Sequence, residues 1–347
     1  MNRRQLRDRP TAPPVKPVPV ILDVDTGIDD ALAILLACAS PQVELLAVTC
    51  VSGNVAADQV CRNTLAVLDL AGRADVEVAV GREVPLARPL RTAPETHGPE
   101  GIGYARLPAE TRAVSERHAA DIIVAEASRR PGELTLVTLG PLTNLAVALQ
   151  REPELPRLLR RLVMMAGSYR SAGNTAPTTE WNVAIDPEAM QAVLDGWSAI
   201  EGAPRPLALG LDVTERAKLT PDHLAELHRR AGDPPDSPLL RLVDDALRFY
   251  MEFHSRYDGF YGCFLHDPLA FAAALDPALV RVEAVRVEVE LEGRWTTGET
   301  VTDWRRQWAR PPNVDVAVES DVGAFFELLV GRLGRLAAER AGAGART

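Results

Sequence analysis

A short apolar run, a cluster of acids and a second apolar run open the periodic part of this chain. Residues 17–22 are apolar and rich in β-branched side chains, which is typical of a buried strand in a parallel sheet. Residues 31–39 consist of good helix formers without a turn residue, so they predict a helix that ends at Ser40 and Pro41. Gly27 supplies the turn between the two runs. The pattern therefore predicts a strand, a tight turn and a helix.

Strand-like and helix-like segments then alternate as far as residue 211, and such alternation predicts parallel βαβ units. Further on, residues 221–253 are mostly helical in pattern, and residues 280–291 alternate apolar with charged side chains, as in a half-exposed strand. The predicted strands cover residues 43–51, 76–80, 134–139, 162–166 and 206–211, and the predicted helices cover residues 58–70, 118–129, 142–149 and 187–194.

These elements predict an α/β fold, in which a single doubly wound domain has a mainly parallel sheet flanked by helices. The 347 residues suffice for one large domain, which we place at residues 18–340, and no linker divides it. Residues 1–17 and 341–347 are predicted to be flexible tails.

Four aspartates, Asp23, Asp25, Asp29 and Asp30, lie where the first strand gives way to the helix. The helix dipole favours acids in the first turn of a helix, which accounts for Asp29 and Asp30 but not for the other two aspartates. Asp23 and Asp25 alternate along the strand end and still need partners. Open α/β sheets bind ligands beyond the carboxyl ends of their strands. The cluster therefore predicts a cation site, because so many close carboxylates repel one another without a cation.

Three known metal or phosphate patterns can be compared with this cluster. A calcium EF-hand loop counted from Asp23 needs a glycine and a glutamate where Ile28 and Ile34 stand. No segment matches the Walker phosphate loop. A haloacid-dehalogenase-like phosphatase also begins with two aspartates one residue apart. Gly27 replaces its usual threonine, however, and neither of the two lysines of the chain lies in a suitable loop.

Two further segments carry histidines suited to acid catalysis. His266 and Asp267 precede an alanine-rich helix, where the aspartate alone is most simply a cap. A histidine beside a metal-binding acid is, however, a natural proton donor near neutral pH. His97 lies in the glycine-rich loop 91–103, which we interpret as a mobile lid.

The segment 167–182 is too long for a plain connection, and long loops are often functional. It contains Asn174, Glu180 and Asn182, whose amide and acid groups suit hydroxyl recognition, although all three also occur as ordinary turn residues.

The amino-acid composition limits which binding partners and which cellular compartment are expected for the protein. The formal charge is −10, from 38 basic and 48 acidic residues, and no basic stripe is present, which argues against nucleic acid or an anionic membrane surface as a partner. The first residues do not resemble a signal peptide, and no uncharged run is long enough to span a membrane. The four cysteines show no metal-binding spacing, so they predict reduced residues of a cytoplasmic protein.

Six short motifs in sequence order carry a resemblance to a known family. They are DVDTGIDDA at 23–31, TLGPLTN at 138–144, MAG at 165–167, EWN at 180–182, DPEA at 186–189 and HDP at 266–268. Together they resemble the inosine-uridine-preferring nucleoside hydrolases, and the similarity runs from about residue 18 to about residue 335. The resemblance implies a single α/β domain that uses calcium to hydrolyse the N-glycosidic bond of ribonucleosides, giving ribose and free base. It also implies a homodimer or homotetramer and a place in purine or pyrimidine salvage.

Position by position, the resemblance assigns the calcium ligands and the catalytic base and acid. The calcium ligands would be the side chains of Asp25, Asp30 and Asp267 and the backbone carbonyl of Leu139. Asp25 would also take a proton from a calcium-bound water. A general acid would then protonate the leaving base. That acid would be His266, assisted by His97.

The same resemblance assigns the nucleoside contacts. Asp29, Asn182 and Asp267 would hold the 2′ and 3′ hydroxyls, with Asn54 as a further ribose contact. The remaining contacts would be Asn174 and Glu180 at the 5′ hydroxyl and Met165 beneath the sugar, while Asp23 would orient a ligand from behind.

Three positions are compared with the pattern of the family, and the first of them is a change in a turn and not in a ligand. Thr26 stands where the family usually has proline, and Trp181 replaces a phenylalanine and is expected to narrow the pocket near the 5′ end. The purine-specific branch carries tryptophan where His266 stands, which favours the broad or pyrimidine-preferring branch. Two alternatives stay open: the phosphatase, and a calcium-dependent ribose- or nucleoside-binding protein without turnover. The presence of both Asp25 and His266 argues against the binding protein.

Overall fold

The structure is a computed structural model that describes residues 16–108, 112–234 and 236–344. Its strands are β1 (Val18–Val24), β2 (Val43–Cys50), β3 (Glu77–Val80), β4 (Thr135–Thr138), β5 (Arg161–Met165), β6 (Leu207–Leu209), β7 (Lys218–Leu219), β8 (Cys263–Phe264), β9 (Val280–Val285), β10 (Val287–Val289), β11 (Thr300–Thr302) and β12 (Val314–Ser320). Its α-helices are α1 (Ile28–Cys38), α2 (Ala57–Leu70), α3 (Pro94–His97), α4 (Ala119–Arg129), α5 (Thr143–Arg151), α6 (Leu155–Leu158), α7 (Trp181–Ile185), α8 (Pro187–Ala199), α9 (Leu211–Thr214), α10 (Pro221–Ala231), α11 (Pro238–Tyr257), α12 (His266–Leu275) and α13 (Val322–Gly344).

The predicted tails fall mostly outside the described residues. Of the segment 1–17, only residues 16 and 17 are described, and of the segment 341–347, residues 345–347 are not. Residues 341–344 form the end of α13.

The central sheet has eight strands in the order β3-β2-β1-β4-β5-β6-β12-β9. All neighbouring strands are parallel except β12 and β9, which are antiparallel. The chain builds outward from β1 to β3 on one side and from β4 on the other, so the strand order reverses between β1 and β4. Such a reversal leaves a crevice beyond the carboxyl ends of the two strands. Asp23 and Thr138 are register partners at that edge.

Successive residues of β1 pack into two different apolar cores. Val20 and Leu22 belong to one core and Ile21 to the other, because side chains alternate across a strand. Helices α1, α2, α11, α12 and α13 cover the first face, whereas α4, α5 and α8 cover the second. Both faces of the sheet are therefore buried, as the apolar strand sequences predict, and the predicted doubly wound α/β fold is confirmed.

The turn between β1 and α1 requires glycine. A Cβ atom on Gly27 would lie 2.6 Å from Nδ1 of His97 and 2.7 Å from Nδ2 of Asn54. The helix that follows is buried on all sides from Ile28 to Ala37, which explains why its sequence is apolar throughout after Asp30. A tight turn thus places the start of α1 against the end of β1.

Two sequence predictions differ from the structure. Residues 280–291 form two strands instead of one: β9 pairs with β12 of the main sheet, and β10 turns away to pair with β11. The break is at Arg286, which is buried and binds Glu288 and the hydroxyl of Ser198. The strand predicted at 206–211 ends at Leu209, because α9 begins at Leu211. None of the helices in the described residues is both long enough and apolar enough to cross a membrane.

Candidate active site

Five buried aspartates converge at the crevice between β1 and β4. Asp23 belongs to β1 and Asp25 follows it, Asp29 and Asp30 lie in the first turn of α1, and Asp267 lies in the first turn of α12. None of them is more than 4 % exposed. The carboxylates of Asp29, Asp30 and Asp267 lie within 4.8 Å of one another. The fold therefore brings Asp267 to the first cluster from far down the chain.

Asp25 is linked to this group through hydrogen bonds of Asp30. The Asp30 carboxylate accepts the backbone N–H groups of Gly27 at 2.9 Å and Asp25 at 3.2 Å, and the side-chain amide of Asn54 at 3.3 Å. Oδ2 of Asp25 accepts the backbone N–H of Asn54 at 2.8 Å. Oδ1 of Asp25 is buried and has no hydrogen-bond partner among the residues that the structure describes. One oxygen of Asp25 is thus open to a ligand.

Burial and mutual repulsion disfavour ionisation of these acids. Burial, followed by repulsion from Asp30, raises the pKa of Asp29 to about 8. Burial, with repulsion from neighbouring aspartates, raises the pKa values of Asp25 and Asp267 well above the usual range. A bound cation compensates both effects. Carboxylate oxygens are hard ligands, and with the open oxygen of Asp25 they fit a divalent cation such as calcium.

Asp23 lies behind the site, in a network that joins three strands. Its Oδ1 accepts the hydroxyl of Thr49 at 2.6 Å and the side-chain amide of Asn144 at 2.8 Å. Its backbone carbonyl accepts the N–H of Leu139 at 2.7 Å. Burial raises the pKa of Asp23 to about 7 despite the two side-chain hydrogen bonds. The network fixes the end of β1 relative to β2 and β4.

The Leu139 carbonyl at the end of β4 is held by Asn182. The Asn182 side-chain amide donates to this carbonyl at 2.7 Å and to the Met165 carbonyl at 3.0 Å. One amide thus ties the ends of β4 and β5 to α7. An oxygen with two lone pairs can still accept one more partner.

Glu180 and Asn174 lie where the 5′ hydroxyl of the nucleoside is predicted to bind. Glu180 caps α7, since its carboxylate accepts the N–H groups of Asn182 at 2.7 Å and Val183 at 3.1 Å, and also that of Gly167 at 3.0 Å. Oδ1 of Asn174, an exposed residue, accepts the backbone N–H of Trp181 at 2.9 Å.

A cavity of about 460 Å³ lies over the aspartates. Asp30 does not line it but contacts the lining residue Asn54. The other predicted site residues all line it: Asp25, Asp29, Asn54, His97, Leu139, Met165, Asn174, Glu180, Asn182, His266 and Asp267.

The two predicted catalytic histidines are buried and anchored through Nδ1. Nδ1 of His97 accepts the backbone N–H of Ile28 at 3.2 Å, and Nδ1 of His266 lies 2.8 Å from the hydroxyl of Thr214. That hydroxyl donates to the carbonyl of Gly210, so it accepts from His266. Burial lowers the pKa of both histidines to about 3, and repulsion from a third histidine adds to the shift.

The third histidine, His254, shares its segment with Tyr250, Tyr257 and Tyr261, which predicts a place at the edge of the pocket but no catalytic role. It lines the same cavity from α11, and its Nδ1 lies 2.7 Å from Oδ2 of Asp258. The spacing of four residues on a helix is the sequence signal for this pair, since such residues are neighbours on one face. Aromatic residues complete this end of the cavity: Tyr250, Phe253, Tyr257 and Phe264.

Other contacts that sequence reasoning missed support the site from behind. Thr143 and Asn144 lie in the second motif, where Thr143 donates to Asp186 at 2.7 Å and Asn144 donates to Asp23. Asp186, from the fifth motif, also accepts backbone N–H groups of Leu86 and Ala189. These three side chains hold elements together, whereas every motif except the fifth also contributes at least one residue to the cavity lining.

Comparison with known proteins identifies the family. The family described as inosine-uridine preferring nucleoside hydrolase matches residues 20–327. The chain belongs to this family. A relative from Leishmania major named inosine-uridine preferring nucleoside hydrolase is 38% identical over 325 residues, which cover 92% of this chain and 98% of that protein. The pyrimidine-specific ribonucleoside hydrolase RihA of Enterobacter sp. (strain 638) is 38% identical over 317 residues, 91% of this chain and 97% of that protein.

Solved structures of nucleoside hydrolases share the fold. The purine-preferring ribonucleoside hydrolase from Gardnerella vaginalis superposes with a TM-score of 0.84 at 32% identity, covering 92% of this chain and 99% of that one. A plant nucleoside hydrolase, PpNRh1, gives a TM-score of 0.82 at 32% identity, with coverages of 91% and 99%. The predicted family and the prediction of an enzyme are therefore confirmed, and the phosphatase alternative has no support.

Proposed function

We propose that this nucleoside hydrolase cleaves the N-glycosidic bond of ribonucleosides in a calcium-dependent reaction, giving ribose and free base. The observation that carries the proposal is the open Oδ1 of Asp25, buried without a hydrogen-bond partner in the described chain and linked through Asp30 to the carboxylate group. A proton acceptor beside a cation site is what hydrolysis by an activated water requires.

The proposed calcium ligands are carboxylates and one carbonyl. Asp25, Asp30 and Asp267 would hold the ion together with the backbone oxygen of Leu139, a donor set of hard oxygens. When bound, calcium would neutralise the acids and lower the pKa of a water molecule. Asp25 would accept the proton of that water through Oδ1. Asp29 lies within the same 4.8 Å group and would remain available to the sugar.

The ribose would lie between the aspartates and the end of β5. Asp29, Asn182 and Asp267, with Asn54, would hold the 2′ and 3′ hydroxyls. Bond cleavage builds positive charge on the sugar, and the surrounding carboxylates would stabilise that charge. The contacts proposed for the rest of the sugar are Asn174 and Glu180 at the 5′ hydroxyl and Met165 beneath the ring.

The base would leave at the histidine-lined end of the cavity. We propose that His266 contributes to its protonation and that His97 assists, since both line the cavity and both are fixed through Nδ1. Relatives are named as inosine-uridine preferring, pyrimidine-specific and purine-preferring. His266 favours a broad or pyrimidine-directed preference here.

The setting of the enzyme is also a proposal. Cys38, Cys50, Cys61 and Cys263 are all free thiols, which fits a reducing cytoplasm and a role in nucleoside salvage. The family resemblance leads us to propose a homodimer or homotetramer, which sedimentation equilibrium tests directly.

A panel of purine and pyrimidine nucleosides, assayed for reducing sugar with and without a calcium chelator, tests the proposed function. Release of ribose from at least one nucleoside, abolished by the chelator and restored by calcium, is the expected result. If the protein binds ribose with calcium but releases base from no nucleoside, the alternative of a binding protein without turnover replaces this proposal.

A further inference from the structure

His254 has one paired ring nitrogen and one unpaired ring nitrogen in the wall of the cavity. Its Nδ1 lies 2.7 Å from Oδ2 of Asp258, the residue that directly follows α11. Its Nε2 is buried and has no hydrogen-bond partner within the described parts of the chain. The side chain is only 5% exposed and lines the cavity. Leaving a buried polar atom unpaired is unfavourable, so a bound ligand is the expected partner.

Aromatic rings fix the plane of the His254 imidazole. Phe260 stacks on it with ring centroids 5.7 Å apart, while Phe264 and Phe253 meet it edge-on at 4.8 Å and 5.2 Å. Tyr250 lies at 4.7 Å. The ring therefore cannot turn freely, and the apolar surroundings suit the flat face of a nucleobase.

Only His254, of the three cavity histidines, has an anionic partner in the described structure. Nδ1 of His97 accepts a backbone N–H, and Nδ1 of His266 meets a hydroxyl. A carboxylate beside an imidazole favours its protonated form, because the opposite charge compensates burial. Burial lowers the pKa of His254, and the hydrogen bond and charge of Asp258 oppose that shift. His254 is thus the ring best supported for holding a proton.

We propose that His254, held by Asp258, is a further catalytic acid that delivers a proton to the departing base, beside His266; this inference rests on the proposed nucleoside hydrolysis. As the bond between C1′ and the base nitrogen breaks, its electron pair moves onto the base. The proton on Nε2 of His254 then passes to the base. The attacking water adds its hydroxyl to C1′ and gives its other proton to Asp25. Solvent afterwards reprotonates His254 and accepts the proton of Asp25, so the net reaction is nucleoside plus water to ribose plus neutral base.

The decisive experiment compares His254→Gln with wild type on two kinds of substrate, both with calcium present. Uridine or inosine needs a proton on its leaving base, whereas 4-nitrophenyl riboside releases a stable anion. We expect kcat on the natural nucleoside to fall by at least about 10²-fold, the lower end of a general-acid contribution, with the nitrophenyl riboside nearly unchanged. An equal loss on both substrates, or no loss on either, overturns the inference.

The positioning role of Asp258 has a matched control, a second histidine–aspartate pair that joins α10 to α11. His228 and Asp244 form a second histidine–aspartate contact, with Nε2 2.8 Å from Oδ1, outside the cavity lining. Asp258→Asn should impair the natural nucleoside and spare the nitrophenyl riboside, without lowering the melting temperature, because Asp258 is 41% exposed. Asp244→Asn should leave both rates unchanged. Equal kinetic effects of the two substitutions would overturn the role of Asp258.

These outcomes are separable from failure of the proposed function. If wild type releases no base from any nucleoside, the proposed function itself is wrong. If wild type is active and His254→Gln matches it on every substrate, only the role of His254 is wrong.

Discussion

The backbone N–H of Asp25 donates to Oδ1 of Asp30 at 3.2 Å, so two of the proposed calcium ligands are held in contact by the protein itself. The bond joins the end of β1 to the first turn of α1, and Gly27 donates to the other oxygen of Asp30. The strand, the glycine turn and the helix are therefore arranged around the acid site.

Asp30→Asn should lose calcium affinity and nucleoside hydrolysis together. The substitution removes a negative charge from the proposed ligand set and replaces one acceptor with a donor that faces the N–H groups of Asp25 and Gly27. Calorimetric calcium titration and a base-release assay on the same sample provide the measurement. Asp58→Asn, at an exposed acid in the first turn of α2, is the matched control and should behave as wild type. Full activity in Asp30→Asn would contradict the assignment.

The substitution Asp25→Asn distinguishes loss of the proton acceptor from loss of ribose binding. Asparagine retains an oxygen that can accept the N–H of Asn54, but it cannot take a proton from water. At a calcium concentration high enough to saturate the weakened site, we expect kcat to fall by roughly 10² to 10⁴, a typical general-base contribution, while ribose still binds. Stopped assays and ribose calorimetry measure the two quantities. A variant that turns over at the wild-type rate would exclude Asp25 as the base.

Asn174→Ala tests the proposed 5′ contact at little cost to folding. Asn174 is exposed, and its carbonyl oxygen accepts only the backbone N–H of Trp181 among the hydrogen bonds of the described chain. If the side chain holds the 5′ hydroxyl, wild type should prefer uridine to 5′-deoxyuridine and the variant should prefer it less. The ratio of kcat/KM for the two substrates is the measurement. The proposed contact is wrong if the ratio is the same in both proteins.

The pH dependence of stability should include a contribution from His97. Burial, with repulsion from His254, lowers its pKa from 6.5 to about 3. Between these values the unfolded chain binds more protons than the folded protein, so the contribution is fully present above pH 6.5 and is lost as pH falls toward 3. In His97→Gln the free energy of unfolding should therefore fall less steeply than in wild type as the pH is lowered. The two slopes should differ by up to about 1.4 kcal/mol per pH unit. Urea denaturation at several pH values below neutrality measures the slope, and parallel curves for the two proteins would refute the prediction.

Local sequence patterns predict the N-terminal half of the fold, which carries four of the five aspartates. The apolar run before Asp23 and the helix formers after Asp30 act within a few residues, so periodicity suffices to place β1 and α1. The C-terminal part is different, since no element was predicted after residue 291, yet β12 and α13 complete the sheet and its cover. Glycines inside α13 lower its helix propensity. At Gly334 the reason is tertiary, because a Cβ there would lie 2.7 Å from Cβ of Arg230.

The candidate site, like the fold, could be predicted from the sequence only in part. Motifs identify Asp25, Asp30 and Asp267 because acids at a strand end or a helix start are visible in sequence. The role of His254 is not visible there. Its case depends on a carboxylate partner, an unpaired Nε2 and a ring of aromatic neighbours from several segments, which only the folded chain brings together.

The central claim is that hydrolysis depends on calcium held by the aspartates between β1 and β4. The most direct measurement is a calcium titration of chelator-stripped wild type, in which bound calcium and ribose release from a good nucleoside substrate are followed in one sample. The account predicts that activity is absent without the ion and rises in proportion to occupancy of a single site. Full hydrolysis by the stripped enzyme, or calcium binding without any ribose release, would contradict it.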